Sequence, residues 1–81
     1  MKITNKKRRA LETLRDLQGK SKIGIVPLSQ LSNAIPEQSI NAVRMLLYGL
    51  EELGLVERPI TGGYKLSVLG ELKLQEAVVT K

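Results

Sequence analysis

The chain is 81 residues long, carries a formal net charge of +5 and contains neither cysteine nor histidine. That composition excludes a disulfide framework, thiolate metal sites and histidine-based acid–base or nucleophilic chemistry, so no enzyme, metal or cofactor is expected. One small domain is expected, with an aliphatic core, because Tyr48 and Tyr64 are the only aromatic residues.

No apolar run approaches the length of about 18 residues needed to span a bilayer. No apolar stretch follows the basic start as a secretory leader requires. A cytoplasmic protein is expected, nucleoid-associated if it binds DNA. The charge is uneven: residues 1–22 hold eight bases and two acids, residues 23–57 one base and four acids, and residues 58–81 four bases and two acids. Clustered positive charge is what a polyanion-binding surface needs.

In chain order, residues 1–4 read as a basic arm that includes Lys2. Residues 5–18 read as an amphipathic helix capped by Thr4 or Asn5, with Ala10, Leu11, Leu14 and Leu17 on its buried stripe. Gly19 is expected to stop it. Residues 23–26, Ile-Gly-Ile-Val, read as a short β-branched strand. Pro27 suits the first turn of a helix over about 28–34 that buries Leu28 and Leu31, with Ile35 beyond. Pro36 breaks that helix. The next starts between Glu37 and Ser39 and runs to about Leu53. Ile40, Val43, Leu47 and Leu50 share its inner face, extended by Leu46 and Leu53, and Gly54 ends it. Residues 55–58 read as a strand, and Pro59 marks either an edge strand or the strand's end. Thr61-Gly62-Gly63 supplies a tight hairpin, and residues 64–66 return. Ser67 caps a last helix over 68–79, with Val68, Leu69, Leu72, Val78 and Val79 on a broad apolar arc. Leu74 and Ala77 lie off that arc, and this surplus predicts a homodimer through helix 68–79. No effector pocket is expected in so small a domain.

The order α-β-α-α-β-β-α, mainly α with a small β-hairpin (α+β), is that of a winged helix-turn-helix domain. Residues 50–58 (LEELGLVER) resemble the end of a recognition helix running into a wing strand. Residues 62–67 (GGYKLS) resemble the wing return, and residues 28–34 (LSQLSNA) are similar to the helix before the turn. Together they make the chain similar to the small winged-helix regulators of bacteria and archaea, including the multiple-antibiotic-resistance-regulator type. The resemblance covers about two-thirds of the chain. It departs from the family in a longer, proline-containing turn at residues 35–39 and in a short wing without a basic tip.

For catalysis, Glu51-Glu52 is the only adjacent acid pair, and neighbouring helical residues point about 100° apart. Gly62-Gly63 is too short for a phosphate loop and lacks the following Lys-Ser/Thr. DNA binding fits better. A recognition helix enters the major groove, where Asn or Gln pairs with adenine and Arg with guanine. Here it offers Gln38, Ser39, Asn41, Ala42, Arg44 and Met45, with Tyr48 one turn on; Ser39 and the first N–H groups can hold a phosphate. The run Lys6-Lys7-Arg8-Arg9 opposes its own helix dipole, which a phosphate partner would explain. Lys20 and Lys22 are expected to extend that region, and Arg58, Thr61, Gly62 and Lys65 to touch the backbone from the wing. The expected function is sequence-specific binding of double-stranded DNA by a small transcriptional, replication, plasmid or viral regulator. The alternative is a protein-interaction module within a larger complex, with Met45, Tyr48, Glu51, Glu52 and Glu57 as its surface. The lack of aromatic stacking platforms speaks against single-stranded RNA.

Overall fold

A computed structural model of the chain describes the backbone of residues 4–79 and the side chains of residues 4–75. It is a mixed α+β fold of four helices and one three-stranded antiparallel sheet: α1 (Asn5–Lys20), β1 (Val26–Pro27), α2 (Leu28–Ala34), α3 (Ile40–Glu52), β2 (Val56–Ile60), β3 (Gly63–Leu66) and α4 (Val68–Val79), with sheet order β1-β3-β2. Lys2 and the rest of the expected arm up to Ile3 lie outside the described residues. Thr4 does not belong to an arm, because its hydroxyl oxygen accepts from Lys7 N–H at 3.2 Å and caps α1.

The α1 stripe is as expected, with Ala10, Leu11 and Leu14 fully buried and Leu17 packed on the core. Gly19 does not stop the helix, which continues to Lys20; it keeps an ordinary φ, and the chain turns off at an extended Ser21. Ser21 Oγ donates to Ile25 O at 3.1 Å. Between them Gly24 takes φ +71°, a left-handed value open to glycine. That turn consumes most of the expected 23–26 strand. Only Val26 and Pro27 pair, opposite Tyr64 and Gly63, and Ile23 is left exposed. Pro27 sits just outside α2 as its extended N-cap.

Ser39 Oγ accepts from Ala42 N–H at 3.1 Å, so α3 opens at Ile40. Val43, Leu47 and Leu50 are fully buried, with Leu46 and Leu53 packed beside them. Ile40 departs from the expected inner face and is 45% exposed, whereas Val43 in the same turn is fully buried. Of the two readings of Pro59, the edge is the one found: β2 lies at the edge of the sheet and runs through Pro59. The register slips between Glu57 and Ile60, and an irregular pairing is where a residue without an N–H can sit inside a strand. Gly62, at φ +77°, makes the hairpin turn, and its carbonyl accepts from Leu28 N–H at 3.0 Å, tying the turn to the start of α2.

Ser67 joins α4 to the rest. Its Oγ accepts from Gly70 N–H at 3.0 Å and donates to Gly54 O at 2.6 Å. The expected apolar arc of α4 is not buried: Val68, Leu69 and Leu72 are exposed, while Gly70 and Leu74 face inward. A Cβ on Gly70 would stand 2.1 Å from Leu55 O. This close backbone approach fixes the rotation of α4 and overrides the apolar count. The side chains of Ala77, Val78 and Val79 lie outside the described residues.

Candidate nucleic-acid interface

The residues expected to read DNA divide into two groups. Asn41, Arg44, Met45 and Tyr48 are all exposed on one stripe of α3, opposite the buried Val43, Leu47 and Leu50, as the helical period requires. Met45 is 66% and Tyr48 56% exposed, large values for side chains of that size. Gln38 and Ala42 are half-buried at the flank. Ser39 is exposed, but its oxygen is already engaged as the cap of α3.

Two elements border the stripe. On one side α1 lies against α3, and a Cβ on Gly49 would stand 3.1 Å from Lys7 Cε. The absence of a side chain at Gly49 therefore lets the Lys7 stem lie across the helix and present its ammonium beside the outer face. On the other side stands the hairpin. Where no effector pocket was expected, a cleft of about 500 Å³ opens between α3 and the hairpin. Arg44, Met45, Tyr48 and Glu51 form its α3 wall, and Leu28, Arg58, Thr61, Gly62 and Tyr64 the rest. Two tyrosines, Met45 and Leu28 make it mainly apolar. Arg58 Nε stands 3.7 Å from Glu51 Oε2, a bridge between β2 and α3.

Half of the expected phosphate-contacting cations, Arg8, Arg9, Arg58 and Lys65, are in ion pairs. Arg8 pairs with Glu12 at 3.4 Å, Lys65 with Glu57 at 3.7 Å, and Arg9 with Glu37. Lys6 is exposed and forms no ion pair among the described residues. Lys20 and Lys22 do not extend the Lys6–Arg9 patch, as they were expected to. They lie at and beyond the far end of α1, and 14 residues of helix separate Lys6 from Lys20 by about 20 Å. Thr61 and Gly62 are exposed at the hairpin turn, as expected.

Sequence reasoning assigned no role to Glu37. A backbone hydrogen bond, and then the Arg9 guanidinium, hold its carboxyl below its ordinary value. The pair ties the start of α1 to the turn before α3 across 28 residues of sequence, a separation at which helical periodicity carries no signal. The cleft was missed for a similar reason, since its walls come from four separate elements. Among the described residues no group of three or more Asp or Glu side chains is arranged to hold a metal, and no helix is long and apolar enough to cross a membrane. No family model, no curated protein and no solved structure matches the chain.

Proposed function

We propose that the chain is a winged-helix domain that binds double-stranded DNA with α3 in the major groove. The element order and the hairpin following α3 are compatible with that architecture. The observation that carries the reading is the outer stripe of α3. Asn41, Arg44, Met45 and Tyr48 are exposed there together, and Arg44 forms no ion pair among the described residues. Asparagine and arginine are the side chains that discriminate adenine and guanine in the major groove, while methionine and tyrosine supply apolar contact. Lys7 on one side and the hairpin on the other stand where the sugar-phosphate strands of a duplex centred on α3 would pass. The ion pairs of Arg8, Arg9, Arg58 and Lys65 do not oppose this. All are exposed, and such pairs contribute about 0–1 kcal/mol, so a phosphate can replace the carboxylate.

The likeness to small winged-helix regulators makes transcriptional or replication control the corresponding role. A second reading, a protein-interaction module, draws on the apolar cleft beside Met45 and Tyr48, since aromatic side chains at the mouth of a pocket suit a protein anchor.

Fluorescence anisotropy on a short duplex across a salt series tests the first reading. Micromolar or tighter binding that falls steeply with log salt supports it. Arg44→Ala should cost about 1–3 kcal/mol on the preferred site and relax specificity at one position; Lys7→Ala should weaken all sequences alike and lower the salt slope by about one. Absence of binding at low salt overturns the reading and leaves the protein-interaction module.

A further inference from the structure

The two ends of the β2–β3 hairpin are unlike, and both are apolar. At its tip, Ile23 is 73% and Ile60 54% exposed. Together with Ile25 and Pro27 they border a shallow cleft of about 240 Å³. A Cβ on Gly63 would stand 2.7 Å from side-chain carbons of both Ile25 and Ile60, so the bare glycine lets the two isoleucines close over the strand. At the other end, where β3 passes through Ser67 into α4, Val68 is 75%, Leu69 47% and Leu72 49% exposed. The five residues of β2 separate the ends by about 13 Å. Single exposed apolar residues are ordinary, but clustered ones mark contact surfaces.

The charges around the two ends are opposite. Residues 22–27 and 59–63, which border the tip cleft, contain Lys22 and no acid. Residues 51–57 and 67–72, which build the α3–α4 corner, contain Glu51, Glu52, Glu57 and Glu71 and no base. The next residue, Lys73, already makes an interaction of its own. Glu51 and Glu57 are paired with Arg58 and Lys65. That leaves Glu52 and Glu71 at the corner and Lys22 beside the tip without ion pairs among the described residues.

We propose that the hairpin tip of one copy docks on the α3–α4 corner of a second copy. This contact covers both apolar ends and sets Lys22 against the acidic corner. A two-fold contact through α4 alone would gather Glu71 of both copies at one interface and leave the tip bare. Because the two surfaces differ, the contact is head-to-tail and propagates unless the rotation closes it. It requires no nucleic acid and is separable from the DNA reading.

Sedimentation velocity on the full chain without DNA tests the proposal. The mass should rise with protein concentration at low salt, and the larger species should be lost at high salt. Ile23→Asp spoils the tip and Val68→Lys the corner; both positions are about three-quarters exposed, and circular dichroism checks that each variant is folded. Leu72→Lys replaces Val68→Lys if the latter disturbs the start of α4. Each variant alone should be monomeric, whereas an equimolar mixture should form a species of two chains, since one variant keeps its corner and the other its tip. A wild-type chain that stays monomeric up to its solubility limit overturns the proposal, as does a mixture that remains monomeric. So does assembly abolished by the corner variant yet untouched by Ile23→Asp, the signature of α4 pairing with α4.

Discussion

Helices α3 and α4 both carry rows of aliphatic side chains, and the fold uses them in opposite ways. In α3 the row at Val43, Leu47 and Leu50 is buried, and the polar row is left outside with Arg44 and Asn41. In α4 the row at Val68, Leu69 and Leu72 is outside, and the helix meets the core through Gly70 and Leu74. The difference lies in what sets each helix's rotation. α3 packs along its length on α1 and α2, so burying its apolar stripe decides its orientation. α4 is docked at its first turn by backbone: the Ser67 hydroxyl bridges Gly70 N–H and Gly54 O, and Gly70 lies against Leu55 O. An apolar count predicts rotation when side-chain packing dominates and fails when a backbone contact comes first. The consequence is functional. α3 faces outward with the groups that the proposed reading assigns to base contact, and α4 with exposed aliphatic side chains.

The largest effect expected from this contrast separates two leucines. Leu47→Ala should cost about 2–5 kcal/mol, because it deletes a fully buried side chain and leaves a cavity. Leu72→Ala, nearly half exposed, should change stability by no more than about 0.5 kcal/mol. Urea denaturation of the two variants measures the gap. Equal losses would mean that the α4 row is buried after all, and would remove the corner surface proposed above.

Two glycines sharpen the comparison at the next level. Gly70→Ala should destabilise by about 3 kcal/mol, the upper end for overpacking, since the obstructing atom is the Leu55 carbonyl oxygen and not a movable side chain. Gly49→Ala on α3 meets only the flexible Lys7 stem. It should stabilise by up to about 1 kcal/mol through helix propensity, while displacing Lys7 from the outer face. Thermal unfolding should therefore move in opposite directions for the same chemical change. A stabilising Gly70→Ala would refute the backbone-docking account of α4.

Where local chemistry decides, the sequence was legible. Ser67 has a hydroxyl beside the N–H groups of an opening helix and caps it as expected; Ser39, expected to face a phosphate, plays the same capping part at α3. The order of the elements followed from such punctuation, and so did the exposure of Asn41, Arg44, Met45 and Tyr48, which needs only the 3.6-residue period. Contacts between distant segments were not legible. Gly19 was expected to end α1, but Gly24 makes the turn, and choosing between two nearby glycines depends on where β1 must meet β3. Lys20 and Lys22 were grouped with Lys6–Arg9 by charge, although a straight helix keeps them apart. Arg9–Glu37, Arg58–Glu51 and the cleft between α3 and the hairpin arise from pairings that no periodicity marks.

The two helix starts also differ in what acid should do to them. α4 is opened by a neutral hydroxyl network at Ser67. α3 is preceded by the Glu37 carboxylate, whose affinity for a proton is lowered by a backbone hydrogen bond and by Arg9. A carboxyl whose folded value lies below its unfolded one contributes stability above the unfolded value, and that stability is lost as the pH falls through the folded value. Below about pH 4.5, the ordinary value for this group, amide protection relative to the intrinsic exchange rate at the same pH should therefore fall over residues 36–42 before it does over residues 67–71. Glu37→Gln should remove that early acid response while leaving Ser67 and α4 unchanged. The effect should be small, because the pair is exposed and Ser39 still caps α3 without it. An acid response at residues 36–42 that survives Glu37→Gln would assign the sensitivity to another carboxylate, and Arg9–Glu37 would then be a contact without influence on the start of α3.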